Sequence, residues 1–235
     1  MAGLLEGRTA LVTGAGRGIG RAIAVAYAKA GARLLLCDLT EAACADTLAA
    51  VRDAGDAEVR AFGLDVTDES ACAALAARVA ADIGHVDVLV NNAGILVREG
   101  IDSPRAHRIL RQVMDVNLFG TFNAIHAFLP HLRASGDGHV VNISSLFGLM
   151  AMPTQAAYNA NKFAVRGFTE HERQTGTDEV LRMTGRVEEI ARAGNDPSVA
   201  LRKESVWADA CCAGHWTGNG ADGAAEFVRA PGNGH

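Results

Sequence analysis

Tyr158 and Lys162 stand four positions apart in the segment "YNANK". On a helix that spacing puts both side chains on one face, about one turn apart. A tyrosine that serves as acid or base must release or share its proton near neutral pH, and its ordinary pKa is about 10. Lowering that value by roughly three units takes about 4 kcal/mol, at about 1.36 kcal/mol per unit. An ammonium about 4 Å away supplies a similar amount at an effective dielectric near ~20. The pair has the geometry and charge of an acid/base device. The competing reading is a surface tyrosine beside a solvated lysine. The chain's other tyrosine, Tyr27, has Gly31 in the place of the lysine.

A second chemical signal lies near the N-terminus. "TGAGRGIG", Thr13 to Gly20, follows an apolar run and opens a helical pattern, the context of a phosphate-binding turn. Gly14 suits a backbone closed to other residues, Gly18 lets the main chain approach a pyrophosphate, and Gly20 lets the helix pack close to a strand. The N–H groups of the new helix would face the negative charge. The alternative is a tight strand-to-helix turn without a ligand. The next apolar run ends in Asp38, 18 residues beyond Gly20, where dinucleotide-binding units carry an acid for the adenosine ribose. A carboxylate there accepts from the ribose hydroxyls and repels a 2′-phosphate, which favours NAD over NADP. Arg17 argues the other way, since a guanidinium pairs with that phosphate. Asp38 also suits a plain helix cap.

These residues need elements to hold them. The runs "TALVTG", "RLLLCD", "EVRAFGLD", "VDVLVNNAG" and "GHVVNISS" alternate with Ala-rich amphipathic stretches at Arg21–Ala30, Glu41–Ala54, Asp68–Ile83 and about Pro104–Ala134. That alternation predicts an α/β fold with a doubly wound parallel sheet, strand order 3-2-1-4-5 and a switch point between strands 1 and 4. Ligands of such sheets bind at the carboxyl ends of the strands, where the turns named above fall. A helix beginning near Thr154 carries Tyr158 and Lys162.

Taken in order, these motifs resemble the short-chain dehydrogenase/reductase family. "TGAGRGIG" is similar to its TGxxxGxG turn, "LDVTD" (Leu64 to Asp68) to its adenine-contacting segment and "NNAG" (Asn91 to Gly94) to its signature after the fourth strand. Asn117, "NISS" (Asn142 to Ser145) and Tyr158-xxx-Lys162 follow in the family's order, and the likeness spans about residues 5 to 170. The resemblance implies a Rossmann-type fold and hydride transfer between a nicotinamide cofactor and an alcohol or carbonyl substrate. It implies Asn117, Ser145, Tyr158 and Lys162 as catalytic residues. For cofactor binding it implies Gly14, Arg17, Gly18, Ile19, Gly20, Asp38, Asp65, Val66, Asn92, Ala93, Gly94, Tyr158 and Lys162. Ser145 would hold the substrate oxygen, with Ser144 pointing to the other side. Asn117 would hold a proton-relay water, and Lys162 would hold the nicotinamide ribose and depress the tyrosine pKa. NAD is the expected cofactor, with NADP second. The other function class is a nucleotide-binding relative without turnover.

The resemblance has two departures. Position 161, usually Ser, Thr or Ala in the family, is Asn. Beyond about His171 no run of β-branched or aromatic residues supplies a sixth or seventh strand, and the only late Pro-Gly, Pro231-Gly232, follows no strand pattern. The reading is therefore a catalytic domain over 1–170 and an atypical segment over 171–235, replaced or frame-shifted. Helices are expected at Asp178–Ala193 and Ser198–Cys212, then a loose tail from Ala213. The sheet would end at five strands.

Composition narrows the partners. With 235 residues, 49% hydrophobic and a formal net charge of -5, the chain can bury a core and shows no basic block for nucleic acid or anionic membrane. Its apolar runs are strand-length, well short of the roughly 20 residues that span a bilayer, and its N-terminus has no signal pattern. Five cysteines without a CxxC pair read as free thiols of a cytoplasmic protein, and Cys211, Cys212 and His215 lack a second ligand pair for a metal. A small-molecule substrate is the expected partner. Homo-oligomer contacts are also an expectation, since many members of the family use helices in the Tyr/Lys region for them.

Overall fold

Each of the five apolar runs forms a strand in the computed structural model, which describes residues 3–151, 153–175, 181–184, 215–217 and 226–228. In chain order these are β1 (Thr9–Thr13), β2 (Arg33–Asp38), β3 (Val59–Gly63), β4 (Val88–Asn91) and β5 (Gly138–Asn142). The connecting helices are α1 (Gly18–Lys29), α2 (Ala45–Ala54), α3 (Glu69–Asp82), α4 (Ala106–Met114) and α5 (Gly120–Ala134), and α6 (Ala156–Thr175) follows β5. With β6 (Leu181–Thr184) added, the main sheet is parallel, in the order β3-β2-β1-β4-β5-β6. Its switch point lies between β1 and β4, with Leu11 opposite Leu35 on one side and Leu89 on the other.

The strands read as unbroken apolar runs because helices cover both faces. Alternation then sorts the side chains. Ala10, Val12, Leu34, Leu36, Val88 and Val90 join Ile23, Ala24 and Tyr27 of α1 and Val51 of α2 in one core layer. Leu11, Leu35, Leu89 and Val140 join Leu75 and Val79 of α3 and Phe128 and Leu132 of α5 in the other. The buried helix positions recur at three- and four-residue intervals, as an amphipathic helix on a sheet requires. Asp68 caps α3, its carboxylate accepting from Ala71 N at 3.0 Å.

Three expectations are corrected. A sixth strand exists: β6 (Leu181–Thr184) pairs parallel with β5, Val140 opposite Met183, inside the stretch read as a helix. "LRMT" carries no strand signature, but main-chain pairing with an open sheet edge does not require one. The stretch read as one helix from about Pro104 is interrupted by a π-turn, Asp115–Phe119, between α4 and α5. The stretch read as a tail holds β7 (His215–Thr217) and β8 (Glu226–Val228), an antiparallel pair with Trp216 opposite Phe227. The proposed helix at Ser198–Cys212, and Cys211 and Cys212 themselves, lie outside the described residues. The chain divides into two compact units, Met1–Leu201 with the six-stranded sheet and Arg202–His235 with the β7/β8 pair. Among the described residues no helix is long and apolar enough to cross a membrane.

Candidate active site

The glycine-rich turn leaves the end of β1 and enters α1. Gly14 has φ +62°, a left-handed conformation that glycine adopts without a steric penalty. At Gly20 a Cβ would lie 2.2 Å from the Gly14 carbonyl oxygen, so the turn closes on the first turn of α1 only without a side chain. Arg17, Gly18 and Ile19 are exposed at the helix N-terminus, whose first N–H groups have no intrahelical acceptor. That is the cradle an anionic pyrophosphate needs, so these residues fit a dinucleotide.

Hydrogen bonds from the neighbouring elements fix the turn's shape. From β4, Asn92 Nδ2 donates to the carbonyls of Thr13 (3.0 Å) and Gly14 (2.9 Å), while the N–H groups of Asn92 and Ala93 donate to Thr13 Oγ1 at 3.1 and 3.0 Å. From β2, Asp38 accepts from Gly16 N through Oδ2 and from Leu39 N through Oδ1, both at 2.9 Å. Each carboxylate oxygen keeps accepting capacity beyond that bond, so the bonds hold Asp38 in place without exhausting it. From α2, the buried Thr47 Oγ1 donates to Ala15 O at 2.8 Å, and from α1 itself Arg21 Nη2 donates to Gly16 O at 2.8 Å. Thr13, Arg21 and Thr47 were not singled out from sequence. Thr13 stood only as the first residue of the turn, and the roles of all three depend on which segments meet in space.

Asp65 and Val66 follow β3. The exposed Asp65 accepts from Thr67 N at 2.9 Å in a local turn, whereas the Val66 side chain is buried in the core and its carbonyl accepts from Asn123 Nδ2 at 3.0 Å. Asp65 thus presents a side chain to the surface and Val66 does not.

The Tyr/Lys half of the site lies at the ends of β4 and β5. Ser145 starts a short 3₁₀ turn, Leu146–Gly148, with Oγ accepting from Phe147 N at 3.3 Å, and it also hydrogen-bonds Tyr158. Ser144 turns the other way, toward the carbonyl of Lys162. The two serines face opposite sides, as the alternation of a strand predicts. Phe147 meets the Tyr158 ring edge-on at 5.6 Å. Lys162 Nζ donates to Ile143 O at 2.7 Å and lies 5.5 Å from the centre of the Tyr158 ring. Asn117, in the π-turn, is buried with its carboxamide bonded to Ile95 and Asn161. Gly94 lies against it, a Cβ there falling 3.2 Å from Asn117 Oδ1.

The electrostatics differ from the expectation. Burial pushes the Tyr158 pKa above its usual value, opposed by the hydrogen bond with Ser145. Burial also pulls Lys162 down to about 8. Helical spacing does place the two residues together, but the ammonium is engaged by the Ile143 carbonyl, and burial of the phenol raises its pKa. At pH 7 Lys162 remains mostly charged and Tyr158 neutral, so the chain alone holds a proton donor there.

A doubly wound sheet with a glycine-rich turn at its switch point, and a Ser, Tyr and Lys grouped at the adjacent strand ends, is the architecture of a Rossmann-type α/β protein. The chain belongs to the short chain dehydrogenase family, whose model matches residues 8–184. That match takes in β6 and extends past the boundary near residue 170 read from the sequence. A Mycobacterium tuberculosis protein named "Putative oxidoreductase SadH" is 48% identical over 169 residues, covering 72% of this chain and 60% of that one. This chain therefore spans less than two thirds of that relative's length. Among solved structures, a short chain dehydrogenase/reductase from Burkholderia phymatum in complex with NAD is 33% identical with a TM-score of 0.70, covering 77% of this chain and 65% of that chain. An NAD+-bound xylitol dehydrogenase is 31% identical with a TM-score of 0.73, covering 77% and 70%.

Proposed function

We propose that this chain is an oxidoreductase that moves a hydride between a nicotinamide cofactor and a small alcohol or carbonyl compound. The observation that carries the reading is the grouping of Ser145, Tyr158 and Lys162 at the ends of the strands whose neighbours form the glycine turn. Gly14, Arg17, Gly18, Ile19 and Gly20 would hold the pyrophosphate, Asp38 the adenosine ribose, Asp65 and the backbone of Val66 the adenine side, and Asn92, Ala93 and Gly94 the inner half of the cofactor. NAD is favoured over NADP because the Asp38 carboxylate is fixed by two N–H donors where a 2′-phosphate would meet it. When bound, the cofactor supplies or accepts the hydride.

The chain's own residues handle the proton and the orientation. Tyr158 exchanges a proton with the substrate oxygen at its hydroxyl. Ser145 Oγ hydrogen-bonds that same oxygen and holds it within reach. The Lys162 ammonium, anchored on the Ile143 carbonyl, favours the phenolate when the proton leaves. Asn117 fixes the backbone at Ile95, beside the cofactor-facing turn. A cytoplasmic location suits the free buried thiols Cys37, Cys44 and Cys72.

The test is NADH binding followed by fluorescence, with NADPH as comparison, then turnover on a panel of secondary alcohols and ketones. Tyr158→Phe is expected to bind NADH within about twofold of the unmodified chain and to lose roughly 10²- to 10⁴-fold in kcat. Turnover that survives this substitution refutes the mechanism. Binding without any turnover by the unmodified chain refutes the enzyme reading in favour of a nucleotide-binding protein.

A further inference from the structure

Two buried asparagines meet between α6 and the segment that follows β4. Asn117 is 2% exposed and Asn161 is 0% exposed. Asn117 Oδ1 accepts from Ile95 N at 2.7 Å, and its Nδ2 donates to Ile95 O at 2.9 Å and to Asn161 Oδ1 at 3.0 Å. The main chain of Ile95 settles which way Asn117 faces, because the reversed amide would set donor against donor and acceptor against acceptor. Asn161 must then offer its oxygen to Asn117. Its Nδ2 is left buried with no acceptor among the described residues. A buried amide with one half unpaired is a poor choice for stability alone. It stands beside Lys162, at one of the two places where the sequence departs from the pattern it otherwise resembles.

We propose that Asn161 is a positioning residue. Acting through Asn117, it ties the helix that carries Tyr158 and Lys162 to Ile95, next to Gly94, and so sets the proton-exchanging pair against the cofactor-facing turn. The proposal rests on the hydride-transfer reading above.

Asn161→Leu keeps the branched shape and heavy-atom count and removes the acceptor, and Asn161→Ala removes it with a smaller side chain. In the Leu variant the unpaired donor at residue 161 disappears and one at Asn117 replaces it, so the melting temperature should stay within roughly 3 °C. NADH should still occupy a single site per chain. In both variants kcat per occupied site should fall about tenfold with substrate KM within about twofold, as loss of orientation rather than of binding requires. In an Asn117→Ala background neither substitution should lower kcat further. Unchanged kcat per occupied site, or additive losses in the double variants, overturns the proposal. Hydrogen exchange at the Ile95 amide separates this from failure of the functional reading. If the unmodified chain binds NADH but turns nothing over, the hydride-transfer reading falls. The bracket is then judged by Ile95 exchange, expected about tenfold faster in both variants with β4 amides unchanged. Unchanged exchange at Ile95 refutes it.

Discussion

Lys162 offers a test that needs no substrate. The residue is 7% exposed, its Nζ donates to the Ile143 carbonyl at 2.7 Å, and burial lowers its pKa from 10.5 to about 8. That depression corresponds to about 3 kcal/mol of differential stabilisation between the charged and neutral forms. The folded pKa is below the unfolded one, which fixes the sign. Below about pH 8 both states carry the charge and the fold bears its full desolvation cost. Between about pH 8 and 10.5 the folded chain releases the proton while the unfolded chain keeps it, so stability rises with pH through that window. Lys162→Met keeps the length and removes the charge. It also leaves the Ile143 carbonyl without its donor, at a cost that does not depend on pH. Urea unfolding of both chains between pH 7 and 10 should therefore show the Lys162 chain gaining about 2–3 kcal/mol relative to the Met variant. Cys37, whose burial pushes its thiol pKa up, affects both chains alike and cancels in the difference. Parallel stability curves would refute the claim that Lys162 is held desolvated.

Two further substitutions probe the glycine turn. Thr13→Val conserves shape but removes the acceptor of the Asn92 and Ala93 N–H groups. With about 1–3 kcal/mol for each buried N–H left unpaired, urea unfolding should report a loss of about 2 kcal/mol or more, and a loss under about 0.5 kcal/mol would count against the bracket. Gly20→Ala should destabilise by about 1–3 kcal/mol and weaken NADH binding, because the new Cβ lies 2.2 Å from Gly14 O and 2.6 Å from Asn92 Nδ2. Helix propensity alone favours Ala by up to ~1 kcal/mol. A stabilised variant with full NADH affinity would show that no close approach exists there.

Most of the main sheet was legible because its strands are buried on both faces. Continuous runs such as "RLLLCD" and "VDVLVN" stand out against the helical stretches between them, and each gives a strand in the expected order. β6 was not legible, since "LRMT" is a sheet-edge strand ordered by pairing with β5 rather than by a pattern of its own. The π-turn at Asp115–Phe119 was hidden for a related reason: a single extra residue per turn barely alters the helical spacing of apolar positions.

By itself the sequence determined the sheet order, the place of the glycine turn, the acid at the end of β2 and the Tyr158/Lys162 spacing, all of which are properties of local pattern. Tertiary structure decided how those residues stand toward one another. The facing of Ser145 toward Tyr158 depends on the turn at the end of β5, and the engagement of Lys162 by Ile143 depends on how α6 packs there. The upward shift of Tyr158, against the depression that spacing alone suggested, comes from burial. The Asn161–Asn117–Ile95 bracket joins segments 22 and 44 residues apart. Hydrogen bonds and desolvation act over a few ångströms in space and are indifferent to distance along the chain, so no local pattern in the sequence could carry them.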